Sequence, residues 1–331
     1  MDYDVVVVGG GPIGAVAARS AAEVGARTLL VEKGNGEGKP VRCAGLVSPR
    51  ALPTLGASGE SVIRQIRGGV IHSPVGRKIA LRSDAVKGVV IDRVALNREL
   101  LNLARNAGAM VHTHTRVTSA RRGSVSTTSG NDTEDIQAGV IIGADGPRSL
   151  VASSFSLSPP KEMLIASQAT IVGPVRSGDE VDIFFGRSIA PTFFAWAIPA
   201  QEGEMRVGLA APIGTKTDEL LSGFLIRHKF GREISRIQGM IPISLARKTI
   251  ADGVLLVGDA AGQVKPSSGG GLYTGGVCAR IAGKVAGGAS LAGKTSESDL
   301  AVYEREFGEE IGNELRFGRA VHSMLGDIDD T

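Results

Sequence analysis

The sequence has few of the residues that build disulfide frameworks or metal centres. Its 331 residues include 2 cysteines and 5 histidines, and aromatic residues make up 4%. Two cysteines cannot form a multi-bridge framework. His112 and His114 share a predicted strand face, but two histidines without a third ligand are more typical of solvated surface than of a metal site. The sequence therefore predicts neither a disulfide scaffold nor a bound metal.

Strong net charge, long apolar runs and a secretory leader are also missing. The formal net charge is +3 at pH 7, which is too small to indicate nucleic-acid binding. No apolar run approaches the ~20 residues needed to span a bilayer, and the N-terminal residues lead straight into a strand pattern instead of a signal peptide. With 42% apolar and 21% charged residues, the chain has the composition of a folded cytoplasmic protein of two or three packed units.

Glycine, in contrast, is abundant at 46 residues, and its clustering indicates close backbone approaches. The first cluster follows residues 5–8, a run of valines typical of a strand buried on both faces of a parallel sheet. Gly9, Gly11 and Gly14 then fit a dinucleotide-binding fingerprint. The first permits the tight turn, the second lets the backbone approach a pyrophosphate, and the third lets helix and strand pack closely. The following helix start offers unpaired N–H groups to the phosphates.

An acidic residue at the end of the second predicted strand completes this fingerprint. That strand ends at Glu32, whose carboxylate can hold both ribose hydroxyls of a nucleotide. The glycine pattern alone is weak evidence, because glycine turns are common. Together, the strand before it, the helix after it and the acid at this distance favour a dinucleotide. A 2′-phosphate is disfavoured beside Glu32, so FAD or NAD fits better than NADP.

A second glycine-rich segment favours FAD over NAD. Residues 253–257 read as a buried strand that ends in Gly258-Asp259 at a helix start. This arrangement resembles the second flavin motif of flavoprotein hydroxylases and reductases, in which the aspartate binds the ribityl chain. Three glycines before Leu272 would let backbone N–H groups meet the flavin ring. The alternative is a glycine-rich loop that merely ends a Rossmann strand.

Two further aspartates at predicted helix starts each have two interpretations. Asp145 lies in Gly-Ala-Asp-Gly, which looks like the Gly-Asp-Gly element of the same flavoproteins, but an aspartate there is also a common N-cap. Asp92-Arg93 is similar to their Asp-Arg element, where the arginine packs near the flavin. A surface N-cap pair is the alternative for this second position.

Four segments together resemble the geranylgeranyl reductase family of FAD enzymes. They are residues 40–46, 92–93, 258–266 and 191–199. The last of these resembles the family's substrate-cavity motif Pro-x-x-Tyr-x-Trp-x-Phe-Pro, with Phe194 at the usual tyrosine and Ile198 at the usual phenylalanine. The resemblance implies flavin-dependent reduction of isolated C=C bonds in geranylgeranyl chains of archaeal-type ether lipids or related isoprenoids.

The fingerprint and the resemblance together give a set of expected site residues. FAD would be bound by Gly9, Gly11, Gly14, Ala15, Glu32, Cys43, Ala44, Gly45, Arg93, Val117, Asp259, Gly271 and Leu272. Cys43 is the catalytic candidate, because a thiol in the family's flavin-contacting loop could relay a proton. A redox-sensitive pair of Cys43 with Cys278 is a further hypothesis, against the commoner case of inert buried thiols.

Alternation along residues 193–199 predicts which side chains would line the substrate cavity. It places Phe194, Trp196 and Ile198 on one side, and Phe193 with Ala195 on the other. We expect the first set to line an aliphatic cavity, and no side chain in that set except the indole has a polar group. The alternative is an ordinary core strand of the β-rich domain.

The predicted fold class is α/β, with a FAD-binding Rossmann-type domain interleaved with a β-rich substrate domain like that of p-hydroxybenzoate hydroxylase. The FAD-binding domain would comprise residues 1–65, 91–160 and 251–297, and the substrate domain residues 66–90 and 161–250. A C-terminal helical segment would follow at 298–331.

Electron donor, location and rival functions complete these expectations. With one nucleotide fingerprint, the external reductant could be NAD(P)H acting at the flavin or ferredoxin. A lipid substrate would bring the enzyme into peripheral contact with the inner membrane face. One rival is a flavin-dependent monooxygenase or halogenase on the same scaffold, and another is an electron-transfer flavoprotein without its own substrate.

Overall fold

The structure is a computed structural model that describes residues 1–174, 177–328 and 330. Its elements in chain order are β1 (Tyr3–Val8), α1 (Pro12–Glu23), β2 (Thr28–Val31), β3 (Leu46–Val47), α2 (Ala51–Leu55), β4 (Val62–Ile66), β5 (Gly68–His72), β6 (Lys78–Arg82), β7 (Gly88–Ile91), α3 (Arg93–Asn106), β8 (Met110–His112), β9 (Arg116–Arg121), β10 (Ser124–Ser129), β11 (Asp132–Gly143), α4 (Leu150–Ser154), β12 (Met163–Val172), β13 (Glu180–Phe184), β14 (Ala195–Pro199), β15 (Glu204–Pro212), α5 (Thr217–His228), β16 (Arg232–Pro242), β17 (Ile250–Ala251), β18 (Val254–Leu256), a 3-10 turn (Gly258–Ala260), α6 (Leu272–Leu291), α7 (Glu297–Leu300) and α8 (Val302–Gly326).

The first sheet is the parallel core that the glycine fingerprint predicts. Strands β8, β2, β1, β11 and β18 lie side by side in that order and run parallel, with β17 antiparallel at the edge. Val5 and Val7 pack against α1, α3, α6 and α8, whereas Val6 and Val8 pack against β9, β10 and α4. Because both faces are covered, β1 needs an unbroken valine run instead of alternation.

The second sheet is mostly antiparallel and has an apolar cluster on each face. Its strand order is β16-β12-β15-β14-β13-β5-β6, and β13 and β5 form its parallel pair. Helix α5 covers one face, where Phe184 and Phe224 are buried. The other face carries what we call the aromatic cluster, which includes Phe193, Trp196 and Ile198 together with Ile66 and Val90 from the third sheet, β3-β7-β4.

The strands between residues 62 and 91 are shared by two sheets. Strands β5 and β6 extend the second sheet, while β4 and β7 pair with β3 in the small third sheet. The interleaving of FAD-binding and substrate segments is compatible with this arrangement, and the boundaries given above remain a proposal. Among the described residues, no helix combines the length and apolarity needed to cross a membrane.

Candidate functional site

The turn after β1 has the backbone geometry that a bound pyrophosphate requires. Gly9 has a φ of +107°, and a Cβ there would lie 2.4 Å from the Ala144 carbonyl oxygen. A Cβ on Gly14 would lie 1.9 Å from the Gly9 carbonyl oxygen. A Cβ on Gly11 would meet nothing within 4 Å. The first and third glycines are therefore needed for packing within the protein, while the second faces open space.

The start of α1 and Glu32 complete this half of the site. Helix α1 begins with Pro12 at its first position, and its N-cap residue Gly11 provides no side-chain cap for the first N–H groups. The Glu32 carboxylate accepts hydrogen bonds from the N–H groups of Gly10 and Gly34, each at 2.6 Å. Each carboxylate oxygen keeps a lone pair for a ribose hydroxyl. Glu32 is thus fixed beside the turn and can still bind a nucleotide.

Buried Asn97 is a further residue at this turn that the sequence did not indicate. Its side-chain amide donates hydrogen bonds to the carbonyl oxygens of Gly10 at 3.2 Å and Gly36 at 2.6 Å. It holds the fingerprint turn to the loop that follows β2. An asparagine on the inner face of an amphipathic helix gives no signal of such a role before the fold is known.

The second glycine-rich segment lies directly against the first. Cβ atoms built on Gly258 and Gly275 would lie 3.0 and 2.9 Å from side-chain carbons of Ile13. The starts of α1 and α6 are therefore neighbours. Gly271 is the N-cap of α6 without a side-chain cap, and its Cβ would lie 3.4 Å from Asp259 Oδ1. Two uncapped helix N-termini and one carboxylate thus converge, a combination suited to an anionic, hydroxyl-rich cofactor.

Asp259 and Arg93 are two polar groups close to the converging helix starts. Protein packed around the Asp259 carboxyl raises its pKa to about 6, and the nearby Arg93 guanidinium opposes that rise. Arg93 Nη1 is buried without a hydrogen-bond partner among the described residues. Buried polar groups of native proteins are normally paired. The unpaired Arg93 nitrogen, which ligand oxygens could satisfy, is the observation by which this site fits FAD.

Asp92 and Asp145, each with two possible interpretations, both accept hydrogen bonds from N–H groups at the start of a helix. Asp92 accepts hydrogen bonds from the N–H groups of Val94 and Ala95 at the start of α3. Asp145 Oδ2 accepts from the N–H groups of Leu150 and Val151 at 2.7 and 3.1 Å. Asp145 Oδ1 is buried without a partner in the described chain, so this residue also keeps an oxygen for a ligand.

Arg206 holds the Cys43 loop from the side of the second sheet. Its Nη1 donates hydrogen bonds to the carbonyl oxygens of Ala44 at 2.9 Å and Ile91 at 3.2 Å. A Cβ on Gly45 would lie 1.9 Å from the same nitrogen, so glycine is needed there. Burial lowers the pKa of Arg206, and the charges of Cys43 and Asp92 oppose this. The available signal was a cation within β15, whose residues after Arg206 are apolar or glycine.

Both cysteines are free thiols, so the redox pair is not formed in this structure. Cys43 is partly exposed, and its Sγ accepts a hydrogen bond from the N–H of Gly45 at 3.3 Å. Cys278 is fully buried on α6, where burial raises the pKa of its thiol well above the usual value. Cys278 is therefore an inert core residue, whereas Cys43 is accessible for chemistry.

The remaining expected cofactor residues occupy opposite faces of the first sheet. Ala15 is buried on the face that carries α1 and α6. The side chain of Val117 is packed into the apolar cluster on the other face, with β10 and α4. Leu272 begins α6 and is partly buried against the same cluster as Ala15. Contact of Val117 with the cofactor would therefore have to use its backbone.

The three expected cavity residues belong to the aromatic cluster, but one alternation prediction was wrong. Trp196 and Ile198 are buried there, and Phe194 packs against them. Phe193, predicted on the opposite side, stacks on Phe194 with ring centroids 4.1 Å apart. Strand β14 begins only at Ala195, and Thr192 has a φ of +61°. Because the chain turns before the strand, the alternation does not extend back to Phe193.

Comparison with known proteins agrees with this geometry. Residues 2–177 match the profile of the FAD binding domain family. The chain is 33% identical to digeranylgeranylglycerophospholipid reductase 2 of Methanothermobacter thermautotrophicus, over 100% of this chain and 89% of the relative. A solved geranylgeranyl bacteriochlorophyll reductase-like protein of Thermoplasma acidophilum superimposes with a TM-score of 0.92 at 28% identity, over 99% and 88% of the two chains.

A solved flavin-dependent brominase is a more distant neighbour. It superimposes with a TM-score of 0.76 at 15% identity, over 98% of this chain and 94% of its own. At that identity the likeness shows the fold alone, which is the interleaved α/β fold expected from the sequence. It gives no support to halogenation or oxygenation.

Proposed function

Because the chain belongs to the digeranylgeranylglycerophospholipid reductase family of FAD-binding proteins, we propose that it reduces isolated C=C bonds in geranylgeranyl chains, using FAD. The substrates we propose are archaeal-type ether lipids or related isoprenoids. The observation that carries this proposal is the position of the aromatic cluster, with Trp196 and Ile198 buried in it and Ala44 and Leu46 of the Cys43 loop packed against it.

The aromatic cluster suits a reaction on an aliphatic chain. Reduced FAD supplies a hydride when it is bound, and an isolated alkene accepts hydride poorly unless a proton arrives with it. The protein must therefore orient the chain and exclude water. Trp196 is 7% exposed, and its indole N–H donates to Gln168 Oε1 at 3.0 Å. This hydrogen bond satisfies the one polar group of the ring and fixes its position within the aromatic cluster.

The residues that would hold FAD are those that converge around the two helix starts. Gly9, Gly11 and Gly14 with the start of α1 would bind the pyrophosphate, and Glu32 would bind the adenosine ribose. Asp259 would accept hydrogen bonds from ribityl hydroxyls. Ala15, Ala44, Gly45, Arg93, Val117, Gly271 and Leu272 complete the proposed set.

Cys43 is the proposed proton carrier. Its thiol is partly exposed, and the loop that carries it is held by Arg206 through the Ala44 carbonyl oxygen. We propose that the proton reaching the substrate carbon passes through Cys43 Sγ.

Electron supply and location follow from the same proposal. Electrons would come from NAD(P)H acting at the flavin or from ferredoxin, which assays with each donor would distinguish. The enzyme would work in the cytoplasm and contact the inner membrane face peripherally, because its lipid substrate resides there.

Lipid mass spectrometry tests the proposed function. Cells that make geranylgeranyl ether lipids and express this chain should gain lipids heavier by two mass units per reduced bond. Trp196→Ala should lose most of this gain while retaining FAD. The matched control is Phe317→Ala, which removes an aromatic ring that is 71% exposed on α8. An FAD-loaded chain that never saturates such lipids with dithionite as reductant would contradict the proposal.

A further inference from the structure

A groove lies between the last turns of α8 and the second sheet, outside the proposed flavin site. Its volume is about 470 Å³. Lys161, Glu162, Arg319 and His322 provide polar groups, and Leu164 and Ile243 provide an apolar floor. We call this feature the α8 groove.

The charged side chains of the α8 groove carry one more positive than negative charge. Arg319 pairs with Glu162 through its Nη2, and its Nη1 donates to the Ile243 carbonyl oxygen at 3.3 Å. Lys161 is exposed and forms no ion pair with any residue that the structure describes. Among the described residues, an anion entering the groove would therefore meet Lys161 without an ion pair and Arg319 paired with the exposed Glu162.

His322 is a buried side chain of the groove with an unpaired ring nitrogen. It is 8% exposed, and its Nδ1 is buried without a hydrogen-bond partner in the described part of the chain. Burial and the neighbouring Arg319 lower its pKa, although Glu162 opposes this. A neutral imidazole has one N–H to donate. Because the His322 ring lines the groove, a ligand oxygen there could accept a hydrogen bond from it.

The floor of the α8 groove is continuous with the aromatic cluster. Leu164 and Ile243 belong to that cluster together with Trp196, and the Phe193 ring lies 5.9 Å from the His322 ring. The cluster extends to Ala44 in the Cys43 loop. An amphiphile with its polar end in the groove could thus lay an apolar chain along packed side chains toward the flavin loop.

We propose that the α8 groove binds the phosphate-bearing head group of the lipid substrate, through Lys161, Arg319 and His322. The inference rests on the proposed function in taking a phospholipid as the substrate. It assigns the recognition of the head group to residues that are separate from those holding FAD.

Calorimetric titration of the oxidised holoenzyme tests this binding without turnover. The probes are dihexanoylphosphatidylglycerol below its micelle concentration, dihexanoylglycerol as the uncharged counterpart, and inorganic phosphate. The phosphatidylglycerol should bind about tenfold or more tightly than the uncharged lipid. Equal affinity of the two lipids would overturn the proposal. Binding of inorganic phosphate as tight as that of the phospholipid would overturn it too, because the site would then serve the free ion.

The ion pair offers variants with opposite expected signs. Arg319→Gln should weaken binding of the phospholipid about tenfold, because it removes a charge-assisted hydrogen bond. Glu162→Gln should strengthen it several-fold, since it removes a repelling charge and frees Arg319. Arg316→Gln, an exposed position on the same helix outside the groove, is the matched control and should change nothing. If Arg319→Gln and Glu162→Gln weaken binding alike, the pair only holds α8 in place and the proposal fails.

His322 and the activity assay complete the test. His322→Phe keeps a ring but no nitrogen and should weaken phospholipid binding, whereas His322→Asn keeps a polar group near the position of Nδ1 and should restore part of it. Equal loss in both would contradict the role of the nitrogen. If Arg319→Gln and His322→Phe bound the phospholipid as tightly as wild type and still reduced geranylgeranyl lipids, the groove assignment would be wrong. The proposed function would not be affected by that result. If the wild-type enzyme bound the phospholipid tightly but reduced no geranylgeranyl lipid, the proposed function would be wrong and the groove would still be a phospholipid site.

Discussion

The flavin side and the substrate side of the candidate site are built in different ways. On the flavin side the critical contacts are between backbones, as at Gly14, where a Cβ would lie 1.9 Å from the Gly9 carbonyl oxygen. On the substrate side they include a side chain, as at Gly208, where a Cβ would lie 2.6 Å from Trp196 Cζ2 and 2.8 Å from the Ser167 carbonyl oxygen. The overlap with a backbone carbonyl is thus smaller at Gly208 than at Gly14, and the indole ring can shift. The flavin side should therefore tolerate substitution much less.

The largest effect is expected from Gly14→Ala. The added methyl group overlaps a backbone atom between β1 and α1, so we expect a loss of about 4 kcal/mol or more in stability and no bound FAD. Gly11→Ala is the matched control, because nothing lies within 4 Å of its Cβ. This variant should fold normally and lose only affinity for FAD, since the methyl occupies the space open to the pyrophosphate. Thermal unfolding and flavin absorbance measure the two effects. If Gly14→Ala and Gly11→Ala were equally stable, the backbone contact at Gly14 would not be critical, and the contrast between the two sides would be wrong.

A smaller effect is expected where the two sides meet, at Arg206. Arg206→Met leaves the carbonyl oxygens of Ala44 and Ile91 unpaired, which should cost about 2–3 kcal/mol of stability. The Cys43 loop should then lose its fixed position, so the visible circular dichroism of bound flavin should change and KM should rise more than kcat falls. Arg206→Lys, with one donor group, should restore part of the flavin signal.

Arg305→Met on the exposed face of α8 is the control for this charge loss. A merely structural role of Arg206 would lower stability without altering the flavin spectrum. That outcome would show that Arg206 does not position the Cys43 loop at the flavin. The flavin side and the substrate side would then be independent of each other.

The same difference explains how much could be predicted from the sequence. The roles of Gly9, Gly14 and Glu32 follow from local rules, because a tight turn and a close helix approach require glycine at fixed spacing. The parallel sheet follows from the valine run for the same reason. Arg206 could not be found in this way, since its carbonyl partners lie 162 and 115 residues away in sequence. Only the packing of two sheets brings them together.

The substrate side was predicted in composition but not in detail. Alternation correctly grouped Trp196 with Ile198, because both lie within β14 and face the aromatic cluster. It failed for Phe193, which precedes the strand and follows a residue with positive φ. The α8 groove gave no sequence signal at all, since its polar residues come from the segment before β12 and from the last turns of α8.

A moderate effect is expected from overpacking the substrate side. Gly208→Ala forces the Trp196 indole and the Ser167 carbonyl to shift, which should cost about 1–3 kcal/mol of stability and leave FAD bound. Because Trp196 is the only tryptophan in the sequence, its fluorescence reports the shift directly. Gly223→Ala on α5, with nothing within 4 Å of the Cβ, is the matched control. Loss of FAD in Gly208→Ala would contradict the independence of the two sides.

The smallest expected effect is a pH dependence on the flavin side. The pKa of Asp259 is raised to about 6 by burial, so below that pH the free protein holds this carboxyl protonated. A carboxylate is needed to accept hydrogen bonds from the ribityl hydroxyls, and FAD binding must then release the proton. The affinity of the apoprotein for FAD should therefore be constant above pH 6 and fall below it, by up to about tenfold per pH unit.

Asp259→Asn isolates this contribution. Its amide does not titrate, so the variant should bind FAD more weakly than wild type above pH 6 and show no such fall below it, in titrations followed by flavin fluorescence. Asp132→Asn is the control, because this carboxylate is exposed at the start of β11, in the hairpin with β10. If the wild-type affinity does not change between pH 7 and pH 5, Asp259 does not bind FAD as a carboxylate. The flavin side would then bind FAD without this carboxylate, through its backbone groups, Glu32 and Arg93.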